Sequence, residues 1–103
     1  MNAYVLTPLA SQDVFSIWCY IASDDEDAAN RVEAAIFEGC DLIADGPMRG
    51  HSRSELTSRT VRFWTLTRFP NYAIVYRPFT TPVQVIAVVH GRRNLRRVLK
   101  ERK

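Results

Sequence analysis

The side chains best suited to chemistry lie near the C-terminus, where they could bind an anion. An apolar run of strand-forming residues ends at His90 and Gly91. The residues that follow carry one acid, Glu101, and seven cations: Arg92, Arg93, Arg96, Arg97, Lys100, Arg102 and Lys103. Clustering of this kind favours an anionic partner, either an acidic protein patch or a nucleic-acid backbone. The alternative is a solvated helix face.

Charge is also divided along the chain. Residues 1–45 hold nine acids and one base, a net charge of −8, whereas residues 46–103 hold thirteen bases and two acids, a net charge of +11. This asymmetry indicates two electrostatic faces, one of them suited to an anionic surface.

Size and composition predict one globular domain, residues 1–103, with an ordinary share of apolar and charged residues. The sequence has no apolar run long enough to span a bilayer and no signal-peptide pattern, so a cytoplasmic protein without membrane contact is expected. Cys19 and Cys40 are interpreted as small buried hydrophobic residues without a disulfide. The cysteines and histidines have no metal-ligand spacing, so neither a metal nor a cofactor is expected.

The first half of the chain predicts a short strand and two helices. Residues 3–6 form a strand candidate, and Thr7 followed by Pro8 is typical of a helix start. Apolar residues at helical spacing then predict helix one over residues 8–22. Ser23 and Glu26 match a capping box that begins helix two, which ends before the breaker at residues 45–47.

The second half predicts a sheet. Residues 46–60 form a surface loop, and strands are predicted over residues 61–67, 72–77 and 83–90, the last one buried on both faces. Leu95, Val98 and Leu99 indicate a short basic helix, with Asn94 as a candidate cap. The predicted fold class is α+β: an N-terminal strand and a helical hairpin packed on a largely antiparallel sheet, followed by a basic C-terminal tail or short helix.

Four ordered motifs carry a resemblance to a known family. The motifs are Ala22 with Ala28-Ala29-x-Arg31, Gly46-Pro47-x-x-Gly50-x-x-Arg53-x-Glu55-Leu56, Tyr72-x-Ile74-Val75-Tyr76-Arg77 and Val88-x-His90-Gly91-Arg92-Arg93. Together the set resembles the ParE branch of the RelE/ParE toxins of type II toxin–antitoxin modules, over nearly the whole chain. Asn94 is a small departure, since many members have Asp at that position.

The resemblance implies a RelE/ParE-like toxin held inactive in a hetero-oligomer by a cognate, ParD-like antitoxin, often in a plasmid-stabilisation module. In the ParE branch the implied target is DNA gyrase, with no direct DNA binding by the toxin in the absence of the antitoxin. The RelE branch instead cuts messenger RNA in the ribosome, and the same fold serves both activities. A third interpretation is a decayed module that binds only its antitoxin.

RNA cleavage requires a general base, a general acid and cations around one phosphate. The candidates for a nuclease site are His90, Arg77 and Glu55, with His51 and Tyr76 as further possibilities. No Tyr, His or Asp follows Gly91, and arginine is a poor base, so the set is incomplete and enzyme activity is not the favoured interpretation. His90 can equally be a packed residue at the end of a strand.

Two binding surfaces are therefore expected. The predicted target contacts are His90, Arg92, Arg93, Arg96 and Arg97. An apolar groove for an amphipathic antitoxin helix, with a possible added strand, is predicted from aromatic residues that could alternatively be core, together with two arginines: Trp18, Phe63, Trp64, Phe69, Phe79, Arg53 and Arg62. Deletion of residues 92–103 is expected to abolish toxicity and to leave antitoxin binding largely intact.

Overall fold

The structure, a computed structural model, describes residues 3–53, 59–91 and 95–102. The elements are β1 (Tyr4–Leu6), α1 (Pro8–Ala22), α2 (Glu26–Asp45), β2 (Arg62–Thr65), β3 (Tyr72–Arg77), β4 (Val83–His90) and α3 (Leu95–Glu101). The strands form a sheet in the order β1-β4-β3-β2, with β1 parallel to β4 and the other neighbours antiparallel. The predicted α+β fold, with its helical hairpin and short basic helix, is confirmed.

β1 begins one residue later than predicted, α2 includes Asp45, and β2 and the loop before it differ more from the prediction. β2 covers four residues rather than the seven predicted, because the alternating pattern continues into the turn that follows the strand. The predicted loop over residues 46–60 is partly paired with the sheet. In particular, the backbone N–H groups of His51 and Phe63 each donate to the carbonyl of the other residue over 2.8 Å.

Both helices of the hairpin start at a side-chain cap. The Ala10 N–H donates to Thr7 Oγ1 over 3.1 Å, and the Ala28 N–H donates to Asp25 Oδ1 over 3.0 Å. The prediction of Ser23 as the second cap is wrong, because Ser23 ends α1 and its hydroxyl donates to the Tyr20 carbonyl over 2.8 Å. Serine and aspartate are both favoured N-cap residues, so residue type alone did not separate them.

The core has two layers, one on each face of the sheet. The α1–α2 hairpin covers one face, and α3 covers the other with Val98 and Leu99. β4 contributes to both layers, since Val85 and Val88 lie in the first and Val89 lies in the second. The prediction that this strand is buried on both faces is confirmed.

The cysteines differ in environment. Cys40 is buried, whereas Cys19 is exposed on α1, so the prediction that both are buried is wrong for Cys19. Burial, with a smaller contribution from the Asp41 carboxylate, raises the pKa of the Cys40 thiol to about 12. Among the helices that the structure describes, none has the length and apolar character needed to cross a membrane.

Candidate functional site

The predicted target contacts that the structure describes on α3 are Arg96 and Arg97, and both are exposed. Arg97 Nε donates to Glu101 Oε1 over 3.2 Å, in an ion pair whose side chains are both largely in solvent. The opposite side of α3 is buried in the second core layer. Packing therefore fixes which face of the helix is presented. Arg92 and Arg93 lie outside the described residues.

Arg102 does not belong to this exposed set. Its guanidinium forms two hydrogen bonds to the Asp13 carboxylate, from Nη1 to Oδ2 over 2.7 Å and from Nη2 to Oδ1 over 3.0 Å. Both side chains are 9% exposed, and we call this ion pair the clasp. The interpretation that the whole C-terminal run of cations faces a partner is wrong for Arg102.

The clasp completes an open edge of β4. β1 pairs with β4 only as far as Leu6 and Val85, because the chain then turns into α1. Beyond that point the Val88 N–H donates to Asp13 Oδ2 over 3.0 Å, and Arg102 Nη1 donates to the Ile86 carbonyl over 2.8 Å. Buried backbone groups require such partners, so the two side chains replace a missing strand.

The contacts of the clasp also affect the pKa of Arg102. The hydrogen bond to Asp13 raises the pKa of the Arg102 guanidinium, and burial acts in the opposite direction. The clasp connects α1, through Asp13, with β4 and with Arg102 near the C-terminus. It holds α3 in place from one end.

Arg59 also binds the C-terminal end of α3. Its Nη1 donates to the Leu99 carbonyl over 2.5 Å and also to the Arg102 carbonyl. Carbonyls at the end of a helix lack intrahelical partners and carry partial negative charge, which a guanidinium satisfies well. Burial, and then the neighbouring charge of Arg77, lower the pKa of Arg59.

His90 lies half-buried at the end of β4 and packs against Tyr72. The two rings meet edge to face, with centroids 5.3 Å apart and an interplanar angle of 84°. They line a shallow cleft of about 330 Å³ with Ser16, Ile17 and Tyr20 of α1. Burial, and then Tyr20, raise the pKa of Tyr72.

The residues predicted for a nuclease site are separated along the sheet. The β3–β4 register pairs His90 with Tyr72 at one end of the hairpin and Arg77 with Gln84 at the other. Gln84 and His90 are six positions apart on one strand, a distance of about 20 Å at ~3.3 Å per residue. His90 and Arg77 therefore do not meet at one phosphate. Glu55 lies outside the described residues.

The two further candidates for acid–base chemistry have structural roles. Tyr76 is fully buried, and its hydroxyl donates to the Pro47 carbonyl over 2.6 Å and accepts from the Gly50 N–H over 2.9 Å. Burial is the largest cause of the raised pKa of this phenol. A Cβ at Gly50 would lie 2.6 Å from the Tyr76 hydroxyl, so glycine is required there. His51 is exposed, and its backbone pairs with Phe63.

The aromatic residues predicted to line an antitoxin groove are distributed over several surfaces. Phe63 is buried beneath α3, whereas the next residue, Trp64, faces α2 from the other side of the sheet, in a cleft of about 150 Å³. Trp18 Nε1 donates to Asn30 Oδ1 over 2.9 Å across the helical hairpin. Phe69 is half-buried, and Phe79 is 71% exposed in the β3–β4 turn. These residues do not form one groove.

The two arginines of the same predicted set lie near β2. The Arg53 guanidinium carbon is 5.8 Å from the centroid of the Phe63 ring. Arg62 Nη1 donates to the Gly50 carbonyl over 2.6 Å, which helps to hold the loop against the strand. Arg62 is therefore partly a structural residue.

Sequence reasoning missed two exposed aromatic residues of α1. Phe15 is 67% exposed and Tyr20 is 80% exposed. Phe15 is apolar and follows the buried Val14, but it lies outside the stripe that packs on the sheet. Its position just outside the i, i+3, i+4 pattern of the buried residues was the available signal.

Comparison with known proteins gives a consistent result. The family model described as "ParE toxin of type II toxin-antitoxin system, parDE" matches residues 4–95. The fold is similar to that of a chain in a solved structure described as "Chromosomal ParDE TA system from P. aeruginosa", with a TM-score of 0.70. The two chains are 20% identical, and the match covers 87% of this chain and 96% of that one. A search of curated proteins found no match.

Proposed function

The chain belongs to the ParE toxin family of type II parDE toxin–antitoxin systems, and from this premise we propose that it inhibits DNA gyrase. In this proposal the toxin acts in the cytoplasm as a binding protein that traps gyrase on cleaved DNA. A ParD-like antitoxin holds it inactive in a hetero-oligomer. The proposed gyrase contacts are His90, Arg92, Arg93, Arg96 and Arg97.

The separation of His90 from Arg77 is the observation that carries the proposal. An endonuclease must bring its base, its acid and its cations to one phosphate. In this chain the two described members of the nuclease set lie at opposite ends of the β3–β4 hairpin. A surface that binds and does not catalyse has no such requirement, which supports gyrase poisoning over messenger-RNA cleavage.

The packing of α3 provides the second support. Its buried face and the clasp hold the helix on the sheet, so Arg96 and Arg97 project from a rigid element. Because the backbone of this helix is already ordered, a partner does not have to order it on binding. A rigid basic helix face is suited to an acidic patch on a protein target.

The antitoxin contacts are proposed at the accessible members of the predicted set. Trp18, Trp64, Phe69 and Phe79 retain exposed area, as does Arg53, whereas Phe63 is covered by α3 and Arg62 binds the Gly50 carbonyl. Because these residues face different directions, we expect an extended antitoxin segment that crosses several surfaces of the toxin.

A gyrase cleavage assay tests the proposal. Purified toxin is incubated with gyrase, relaxed plasmid and ATP, and the reaction is stopped with detergent and protease. We expect linear DNA to accumulate with toxin concentration, and to disappear when the cognate antitoxin is added first. Unchanged supercoiling and no linear DNA at saturating toxin would reject gyrase as the target. Codon-positioned cuts in translated messages would support the nuclease alternative instead.

A further inference from the structure

A small cleft lies at the turn between β3 and β4, next to Arg59, which binds the carbonyls at the end of α3. It has a volume of about 370 Å³. Its lining combines cations, hydroxyls and apolar side chains: Arg59, Thr60, Val61, Arg77, Phe79 and Thr80. A cleft of this size holds one or two amino-acid side chains.

The two arginines of the cleft are engaged differently. Arg59 is held by the carbonyls at the end of α3. The Arg77 guanidinium makes no hydrogen bond or ion pair with any residue that the structure describes, and no carboxylate is among the described residues that line the cleft. Two neighbouring guanidinium groups, with no carboxylate among the described residues of the lining, provide a site for a single anion. A guanidinium can bind a carboxylate through two parallel hydrogen bonds.

The apolar side of the cleft indicates what accompanies the anion. Phe79 is 71% exposed in the β3–β4 turn, and Val61 beside it is 4% exposed. A large exposed aromatic residue next to a fixed cation is typical of a binding hot spot. The complementary ligand has a carboxylate adjacent to an apolar side chain.

We propose that this cleft binds a short segment of the cognate antitoxin, with an Asp or Glu on the Arg77 guanidinium and a neighbouring apolar side chain on Phe79. This inference rests on the antitoxin part of the proposed function and not on the gyrase target. Charge complementarity and the small volume favour a peptide over nucleic acid. A nucleic-acid site would need a row of cations along the backbone and a wider surface.

Charge reversal at Arg77 tests the proposal. The affinity of purified cognate antitoxin for the toxin is measured by calorimetry, for wild type and for Arg77→Glu. We expect the variant to bind at least about 30-fold more weakly, as for an interfacial ion pair that becomes a repulsion. Arg31→Glu is the matched control, since Arg31 is exposed on α2 outside the cleft, and its affinity should stay within about twofold of wild type.

A charge-swap experiment identifies the partner residue. Each acidic residue of the antitoxin is changed to arginine in turn, and one such variant should restore binding to Arg77→Glu. Phe79→Ser should weaken binding by about tenfold. If Arg77→Glu does not fold, Arg77→Gln removes the charge and should still weaken binding at least about tenfold.

The proposal is overturned if the antitoxin affinity of both Arg77 variants, or of the variant that folds, stays within about twofold of wild type. If these variants also lose binding to a fluorescein-labelled single-stranded oligonucleotide, the cleft is a nucleic-acid site instead.

The gyrase assay separates this inference from the proposed function. If both are correct, Arg77→Glu still causes gyrase-linked DNA cleavage, and added antitoxin no longer suppresses it at concentrations that silence wild type. If wild-type toxin has no effect on gyrase while Arg77→Glu loses antitoxin affinity, the gyrase target is wrong and the cleft proposal stands.

Discussion

Arg97 and Arg102 lie five residues apart at the same end of the chain, but their environments are opposite. The Arg97 side chain is 79% exposed and pairs with Glu101 in solvent. Arg102 is buried, binds Asp13 with two hydrogen bonds and completes the backbone bonding of β4. Exposed ion pairs stabilise proteins little, whereas loss of one partner of a buried pair is costly.

The difference shows that the C-terminal run of cations is not one functional surface. The buried arginine is required by backbone groups that β1 leaves without a strand partner. On the outer face of α3, Arg97 instead pairs with Glu101 in solvent. Stability and target binding should therefore respond to different arginines of the same segment.

The largest expected effect comes from deletion of residues 92–103. The deletion exposes the second core layer and leaves Asp13 as a buried charge without Arg102. We expect a loss of about 5 kcal/mol or more, comparable to the whole stability of many domains. Both toxicity and antitoxin binding should be lost. The structure thus argues against the sequence-based expectation that this deletion spares antitoxin binding, and a folded variant with native antitoxin affinity would contradict the importance of α3.

Arg102→Ala should have the next largest effect. Breaking one side of a buried ion pair costs about 3–5 kcal/mol, which chemical denaturation measures. The double variant Asp13→Asn with Arg102→Met should be more stable than Arg102→Met alone, because asparagine still accepts from the Val88 N–H and no charge remains buried. Equal stabilities for the single and double variants would show that the charge is not the cause.

Arg59→Ala should cost less, about 1–3 kcal/mol, because it leaves carbonyls at the end of α3 without a donor. Hydrogen exchange at the amides of α3 should increase selectively. Equal increases throughout the sheet would instead indicate global destabilisation.

The two cysteine thiols should differ in reactivity, because Cys19 is exposed and Cys40 is buried. At pH 8 the exposed Cys19 should react with iodoacetamide at least on the order of 100-fold faster than Cys40, whose burial raises its pKa to about 12. Because only the unfolded Cys40 thiol ionises near pH 9, this group should reduce stability as pH rises above about 9. Mass spectrometry of the labelled thiols checks the first expectation. Comparable rates in the folded wild type would contradict the burial of Cys40.

Local chemistry made much of the fold predictable. Thr7 before Pro8 located the start of α1, and the apolar runs located β3 and β4 to the residue. The sequence did not indicate that Asp13 pairs with Arg102, because the two residues are 89 positions apart. The one indication was an acid at core spacing between Ala10 and Val14 on the buried side of α1. The candidate site was less predictable, because the packing of helices against strands decides which side chains are exposed and in which direction they point.

The most direct measurement of the central claim is gyrase-linked DNA cleavage by the Arg96→Glu/Arg97→Glu variant. The control is Arg31→Glu/Arg68→Glu, which changes the net charge equally at exposed positions elsewhere. We expect the α3 variant to stay within about 1 kcal/mol of wild-type stability and to lose cleavage by at least about tenfold, with the control unchanged. Full cleavage by a folded α3 variant would contradict the assignment of the exposed arginines to the target.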